Sequence, residues 1–358
     1  MPAFDSLFPI ARQFTKNQAV IDIQPLGNGL INDTFLVMTN SLPFVLQRIN
    51  TTVFPQPALI MENLLTLNRH LRQKNADSVK LRVPDVLSTV ESNSYYEKEG
   101  DYWRALSFID NTESLEVIGN AHEAAQAGFA LGHFHRLLSD LDPVTLHDTL
   151  PGFHITPNYL SRYDQVSAGT RISSPENRYC ADFIDWLRHI ADDLEAAKQR
   201  GLLTLRVMHG DPKLNNFLFD RHSKTVAGIV DLDTVKPGLV HYDIGDCLRS
   251  CCQTTDPVGF DTDRCAVILE SYLAEAGAFF SASDYDYLYP AIRLIPFELG
   301  IRFFTDHLDG DRYFKVTEPG QNLRRAVEQF RLCDSITQQE SAIRQLIARL
   351  KKQTMGTR

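Results

Sequence analysis

The chain has 358 residues, 43% of them hydrophobic, with a formal net charge of −9 and an isoelectric point near 5.7. Such a composition fills a sizeable core, and its acidity argues against nucleic acid or an anionic membrane as the main partner. No run approaches the ~20 apolar residues of a membrane span, and no basic-then-apolar leader pattern opens the chain, so a cytoplasmic setting is expected.

Residues 5–16 carry Leu7, Ile10, Ala11 and Phe14 on one side, which predicts a short amphipathic helix. Strands are predicted at 21–26 and 34–38 with Gly27-Asn28-Gly29 between them. The two glycines let backbone N–H groups approach phosphate oxygens, although a plain hairpin turn explains them as well. A third strand covers 43–49 and a helix about 56–73, followed by strands at 83–88, 94–97 and 102–109. Residues 110–114 read as a linker. Helices are then predicted at 120–138, 180–199, 263–277, 283–309 and 322–351, with the Pro- and Ser-rich stretch 142–178 crossing the surface. The six cysteines contain no CxxC pair and read as free thiols, a zinc site from Cys247, Cys251 and His241 being the less favoured alternative.

One stretch interrupts the helices with chemistry. His209-Gly210-Asp211-Pro212-Lys213-Leu214-Asn215-Asn216 precedes a small hairpin, 216–220 against 226–230, and that hairpin ends in Asp231-Leu232-Asp233. HxDxxxxN followed by a strand-end Asp supplies a carboxylate to orient an attacking hydroxyl. It also supplies an amide oxygen and a second carboxylate for the Mg²⁺ that accompanies nucleotide phosphates. Asp211 is the candidate base, Asn216 and Asp231 the metal ligands, and His209 a structural residue. Asp233 reads as an acceptor for a substrate hydroxyl or a second metal ligand. Lys213 is either a cation for the transferring group or a solvated lysine.

With these parts the chain resembles the aminoglycoside phosphotransferase and choline kinase group, and within it the bacterial N-acetylhexosamine 1-kinases. The closer likeness is carried by Gly27–Thr34, Val45–Asn50, Lys213–Asn216, Ile229–Thr234, Pro237-Gly238, Tyr242–Asp246 and Gly300–Phe303 through Tyr313-Phe314. The resemblance implies an α+β, two-lobed protein-kinase-like fold. Residues 1–109 would form a small antiparallel N-lobe with one helix, and residues 110–358 a larger, mostly helical C-lobe.

It further implies ATP and Mg²⁺ as cofactors and a small-molecule sugar as acceptor, phosphorylated at its anomeric hydroxyl. A choline, amino-alcohol or aminoglycoside acceptor is the alternative, and monomer and homodimer both stay open. Nucleotide contacts fall to Gly27, Gly29, Asn32, Gln47, Arg48, Ser107 and Ile109. Arg302 and Tyr313 fall where hydroxyl-binding side chains belong, with an Arg302–Asp306 ion pair as the plain alternative. Two departures stand out. Gln47 holds the position of the third-strand lysine that reaches the phosphates, which leaves the helix glutamate candidate, Glu62, without its usual partner. Leu30 stands where a sugar-contacting histidine is implied. Asp243 and Asp246 are expected to brace the catalytic loop.

Overall fold

The computed structural model describes residues 4–16, 18–27, 31–170 and 174–356. It opens with α1 (Phe4–Ala11), followed by β1 (Val20–Pro25), β2 (Asp33–Thr39) and β3 (Phe44–Ile49). Helix α2 (Pro57–Arg72) leads to β4 (Val86–Leu87), β5 (Tyr96–Lys98) and β6 (Asp101–Ser107). These strands form one antiparallel sheet in the order β1-β2-β3-β6-β4, with β5 also on β6. Period-two alternation divides its faces. Phe35, Val37, Phe44, Leu46, Trp103 and Ala105 pack under Leu7, Ile10 and Phe14 of the α1 region. Thr34, Gln47 and Arg104, in register across β2, β3 and β6, occupy the other face.

The second half begins with β7 (Thr112–Ser114), α3 (Ala121–Leu137), α4 (Thr156–Ser167), α5 (Pro175–Leu187) and α6 (Asp193–Gln199). Next come β8 (Arg206–Met208), β9 (Phe217–Asp220), β10 (Val226–Ile229) and β11 (Lys236–Gly238), with β8 pairing β11 and β9 lying between β10 and β7. The chain ends with α7 (Val240–Cys252), the hairpin of β12 (Gln253–Thr255) and β13 (Val258–Phe260), α8 (Thr262–Ala276), α9 (Ala282–Asp286), α10 (Leu288–Leu308), α11 (Gln321–Gln338) and α12 (Glu340–Gly356). Among the described residues no helix is long and apolar enough to cross a membrane.

Several expectations are corrected. The supposed linker 110–114 contains β7, an edge strand on β9. The polar stretch 142–178 contains α4, which buries only Thr156 and Tyr163 and so shows no apolar stripe. Helix α7 was not anticipated. The helix predicted over 283–309 is two, the second starting just before Pro290, where a proline fits a first turn. The long last helix breaks at Gln339, whose Nε2 donates to the Phe260 carbonyl at 2.9 Å. That is a tertiary contact with no local signal.

Helices α3 and α8 pack at the closest approach glycine allows. A Cβ on Gly128 would stand 2.2 Å from the Ile268 carbonyl oxygen, and one on Gly132 2.6 Å from that of Tyr272. We therefore expect Gly128→Ala to force the helices apart and cost about 1–3 kcal/mol, read as a lower urea midpoint. An unchanged midpoint would show that the interface yields.

Candidate active site

The segment 209–216 leaves β8 and is held from beneath by one carboxylate. Asp243 on α7, fully buried, accepts from the backbone N–H of His209 at 2.6 Å, from that of Gly210 at 2.8 Å and from His135 Nε2 at 2.8 Å. Gly210 has φ 90°, and a Cβ there would lie 2.7 Å from the Thr234 carbonyl, so only glycine fits. The His209 ring is locked as a neutral tautomer. Its Nε2–H donates to the Val230 carbonyl at 3.0 Å, while Nδ1 accepts from the Asp211 N–H at 3.2 Å.

Asp211 stands above this platform with 28% of its side chain open to solvent, 2.5 Å from Lys213 Nζ. Burial pushes its carboxyl above the ordinary range, Lys213 opposes that, and the charges of Asp246 and Asp231 add to it. Burial would lower the Lys213 ammonium, but Asp211 and Asp231 more than compensate and hold it protonated. Asn216 turns its amide hydrogens to the Asp211 carbonyl at 2.7 Å, so its Oδ1 meets no protein donor among the described residues. Asp231 is exposed and sits at φ 64°, a left-handed conformation unusual for a non-glycine residue. Its carboxylate likewise has no hydrogen-bond donor among the described residues. Two donor-free oxygens beside Asp211 suit a hard divalent cation. Asp246, expected to brace the loop, instead binds Arg249 Nε at 2.7 Å and keeps a buried Oδ2 without a partner.

The nucleotide-side candidates divide. Gln47 shares its sheet face with Thr34 and Arg104, donating to Thr34 Oγ1 at 3.1 Å and accepting from Arg104 Nε at 2.9 Å. Arg48 lies on the opposite face, bridging Asp33 at 2.5 Å and Asp101 at 3.1 Å. Strand alternation thus removes it from the cleft. Asn32 donates to Asp233 at 2.8 Å and accepts from the Asn50 N–H at 3.0 Å. Asp233 is not an open acceptor for substrate: it is buried and paired with Arg104 at 2.6 Å. The Ser107 N–H is bonded to the Asp85 carbonyl, and the Ile109 carbonyl accepts from Thr112 Oγ1. Gly27 has φ 69°, and Gly29 and Leu30 lie outside the described residues. Glu62 pairs with His147 at 2.7 Å and not with the sheet.

The Arg302–Asp306 pair, the plain alternative for Arg302, is absent. Asp306 instead caps the turn carrying Tyr313, accepting from the N–H groups of Arg312, Tyr313 and Phe314 at 2.8–2.9 Å. Arg302, with only 13% of its side chain exposed, reaches no nearer than 4.0 Å to Glu298. Its guanidinium lies against the rings of Phe153, Tyr159 and Phe314, 5.0–5.5 Å from their centroids. Tyr313 is half exposed beside it. The cysteines are free and buried as expected, and the less favoured zinc cluster does not form: His241 Nε2 meets the Asp284 carbonyl.

Sequence reasoning missed Arg104, Glu298 and His154. His154 lies at φ 64° between Glu298 Oε1 at 3.0 Å and the Gly210 carbonyl at 2.7 Å. It therefore ties the Arg302 wall to the catalytic loop. Two acceptors on one ring call for an imidazolium. Burial disfavours that charge, but Glu298, Asp246 and the Gly210 carbonyl outweigh it and raise the pKa. A raised folded-state pKa gives stability that is full below the ordinary value near 6.5 and is lost as pH climbs through the folded value. Unfolding free energy from urea melts should accordingly fall as pH rises above about 6.5, and less so in His154→Asn. A wild-type decline no steeper than the variant's would refute the charged ring.

The sequence profile of the phosphotransferase enzyme family matches residues 22–281. Among solved structures, a microcompartment-associated aminopropanol kinase aligns with a TM-score of 0.65 at 16% identity, covering 94% of this chain and 98% of the other. A spectinomycin phosphotransferase in complex with ADP and spectinomycin aligns at 0.61 and 11%, covering 94% and 100%. An amicoumacin kinase in complex with AMP-PNP and Ca²⁺ aligns at 0.59 and 12%, covering 91% and 92%. With a profile match across most of its length, the chain belongs to the phosphotransferase enzyme family.

Proposed function

We propose that this protein is an ATP- and Mg²⁺-dependent kinase that phosphorylates a hydroxyl of a neutral sugar, the anomeric hydroxyl of an N-acetylhexosamine. The observation that carries the chemistry is the grouping of Asp211 with the donor-free oxygens of Asn216 and Asp231. Asp211 orients the acceptor hydroxyl and takes its proton, and Lys213 neutralises charge beside it. Asn216 and Asp231 are the residues that would hold Mg²⁺, which when bound neutralises phosphate charge and aligns the transferred group. Residues 1–109 form the nucleotide-binding side, with the backbone around Ser107 to Ile109 against the base, and residues 110–358 the catalytic and acceptor side.

The acceptor reading rests on Arg302. An aromatic cage that could hold an ammonium group is filled by the protein's own guanidinium, whose charge also reaches Asp211. A second cation there is repelled, whereas sugar hydroxyls and an acetamide carbonyl accept its free N–H groups. An amino-alcohol or aminoglycoside acceptor is the second reading, favoured by the aminopropanol and spectinomycin kinases among the structural neighbours.

Asp211→Asn should lower turnover by roughly 10²–10⁴-fold while MgATP binding persists; near wild-type turnover would remove the base from Asp211. In an ADP-release screen, GlcNAc or GalNAc should support turnover, with an anomeric phosphomonoester in the ³¹P spectrum. Turnover of ethanolamine, choline or kanamycin with none of the sugars would establish the second reading.

A further inference from the structure

Strand β3 offers no cation to the cleft face of the sheet. Gln47 is neutral, and Arg48 is held on the other face by Asp33 and Asp101. The structure places another cation next to the vacancy. Arg104 on β6 stands directly across from Gln47 in the strand register, so their side chains leave the same face. It is among the most deeply buried large side chains, 1% exposed. A buried guanidinium needs acceptors for its five N–H groups. Nε has Gln47 Oε1 at 2.9 Å, while Nη2 is ion-paired with Asp233 Oδ1 at 2.6 Å without hydrogen-bond geometry, so that Oδ1 too is left without a hydrogen-bond partner. Nη1 is buried with no hydrogen-bond partner.

Leaving a buried donor unmet is unfavourable, so the site is poised for an acceptor that the described residues do not supply to Nη1. Asp233 lies two residues beyond Asp231, which puts this unpaired donor at the junction of the sheet and the candidate metal site. We propose that Arg104 is the phosphate-binding cation of this nucleotide site. Its Nη1 donates to a phosphate oxygen of a nucleoside di- or triphosphate, while Gln47 and Asp233 hold the guanidinium at Nε and Nη2. Gln47 is then a positioning residue, its amide fixed by Thr34 and turned to accept from Arg104. The inference rests on the kinase reading. It accounts for glutamine at this position: a lysine there would repel Arg104.

The test uses metal-free titration calorimetry, with EDTA present, of ADP and adenosine against the whole protein, so that any metal role of Asp233 is silent. Arg104→Gln/Asp233→Asn removes both charges without leaving either partner buried and alone, and Asp233→Asn alone releases the arginine. The double variant should bind ADP at least tenfold more weakly and adenosine within twofold of wild type. Asp233→Asn should bind ADP as tightly as wild type or tighter. Equal weakening of ADP and adenosine would make Arg104 a structural latch between strand and loop, and unchanged ADP binding in the double variant would also overturn the proposal. A wild-type protein that binds neither ligand would remove the kinase reading itself.

Discussion

The candidate active-site loop depends on one buried carboxylate beneath it. Asp243 is buried with three donors converging on its two oxygens, two of them consecutive backbone N–H groups. An isolated buried charge is expensive, and three charge-assisted hydrogen bonds offset that cost while fixing the loop's backbone path. Everything above follows. Gly210 can adopt its turn, the His209 ring can reach back to Val230, and Asp211 is delivered to the cleft with its own N–H bonded to that ring. The α7 helix thus acts as a footing, and the Asp211 carboxylate is left to accept from Lys213.

The two walls of the cleft are built by different means. The proposed nucleotide wall is a sheet face, where register brings Thr34, Gln47 and Arg104 into one row. The proposed acceptor wall is assembled from long-range side-chain contacts: Arg302 among aromatic rings, Glu298 behind it, and His154 linking Glu298 to the Gly210 carbonyl. The sheet wall tolerates little variation without slipping register. The proposed acceptor wall is set by individual side chains, and the molecules named with the structural neighbours differ while the fold is shared.

Local features of the site were legible in the chain because they are local. HxDxxxxN and the strand-end Asp lie within 23 residues of one another, and their chemistry follows from residue type and spacing. Arg104 was not legible: its meaning comes from Gln47, 57 residues away, through a strand register. His154 sits in a polar stretch with nothing to mark it, and its partners are 144 and 56 residues distant. The Arg302–Asp306 spacing suggested an ion pair, but an acid offered three backbone N–H groups and the Asn322 amide is better satisfied there. Arg48 was misplaced because residue order alone does not say which of two neighbours faces the cleft.

The seam between the halves carries a consequence of its own. Arg82 forms a parallel bridge with Gly228, donating to the Ala227 carbonyl at 2.9 Å and accepting from the Ile229 N–H at 3.0 Å. Asn63 on α2 donates to the carbonyls of His147 and Val235, both at 2.9 Å. Ile60, Met61 and Leu64 share one apolar core with Phe134, Phe217 and Ile229. Neither half therefore owns a complete interior, and the chain is not a pair of interchangeable modules. A graft that brought a new acceptor half to this nucleotide half would have to carry α2, residues 80–86 and β10 together. Exchanges confined to the side chains around Arg302 leave this shared core and its bridging hydrogen bonds intact.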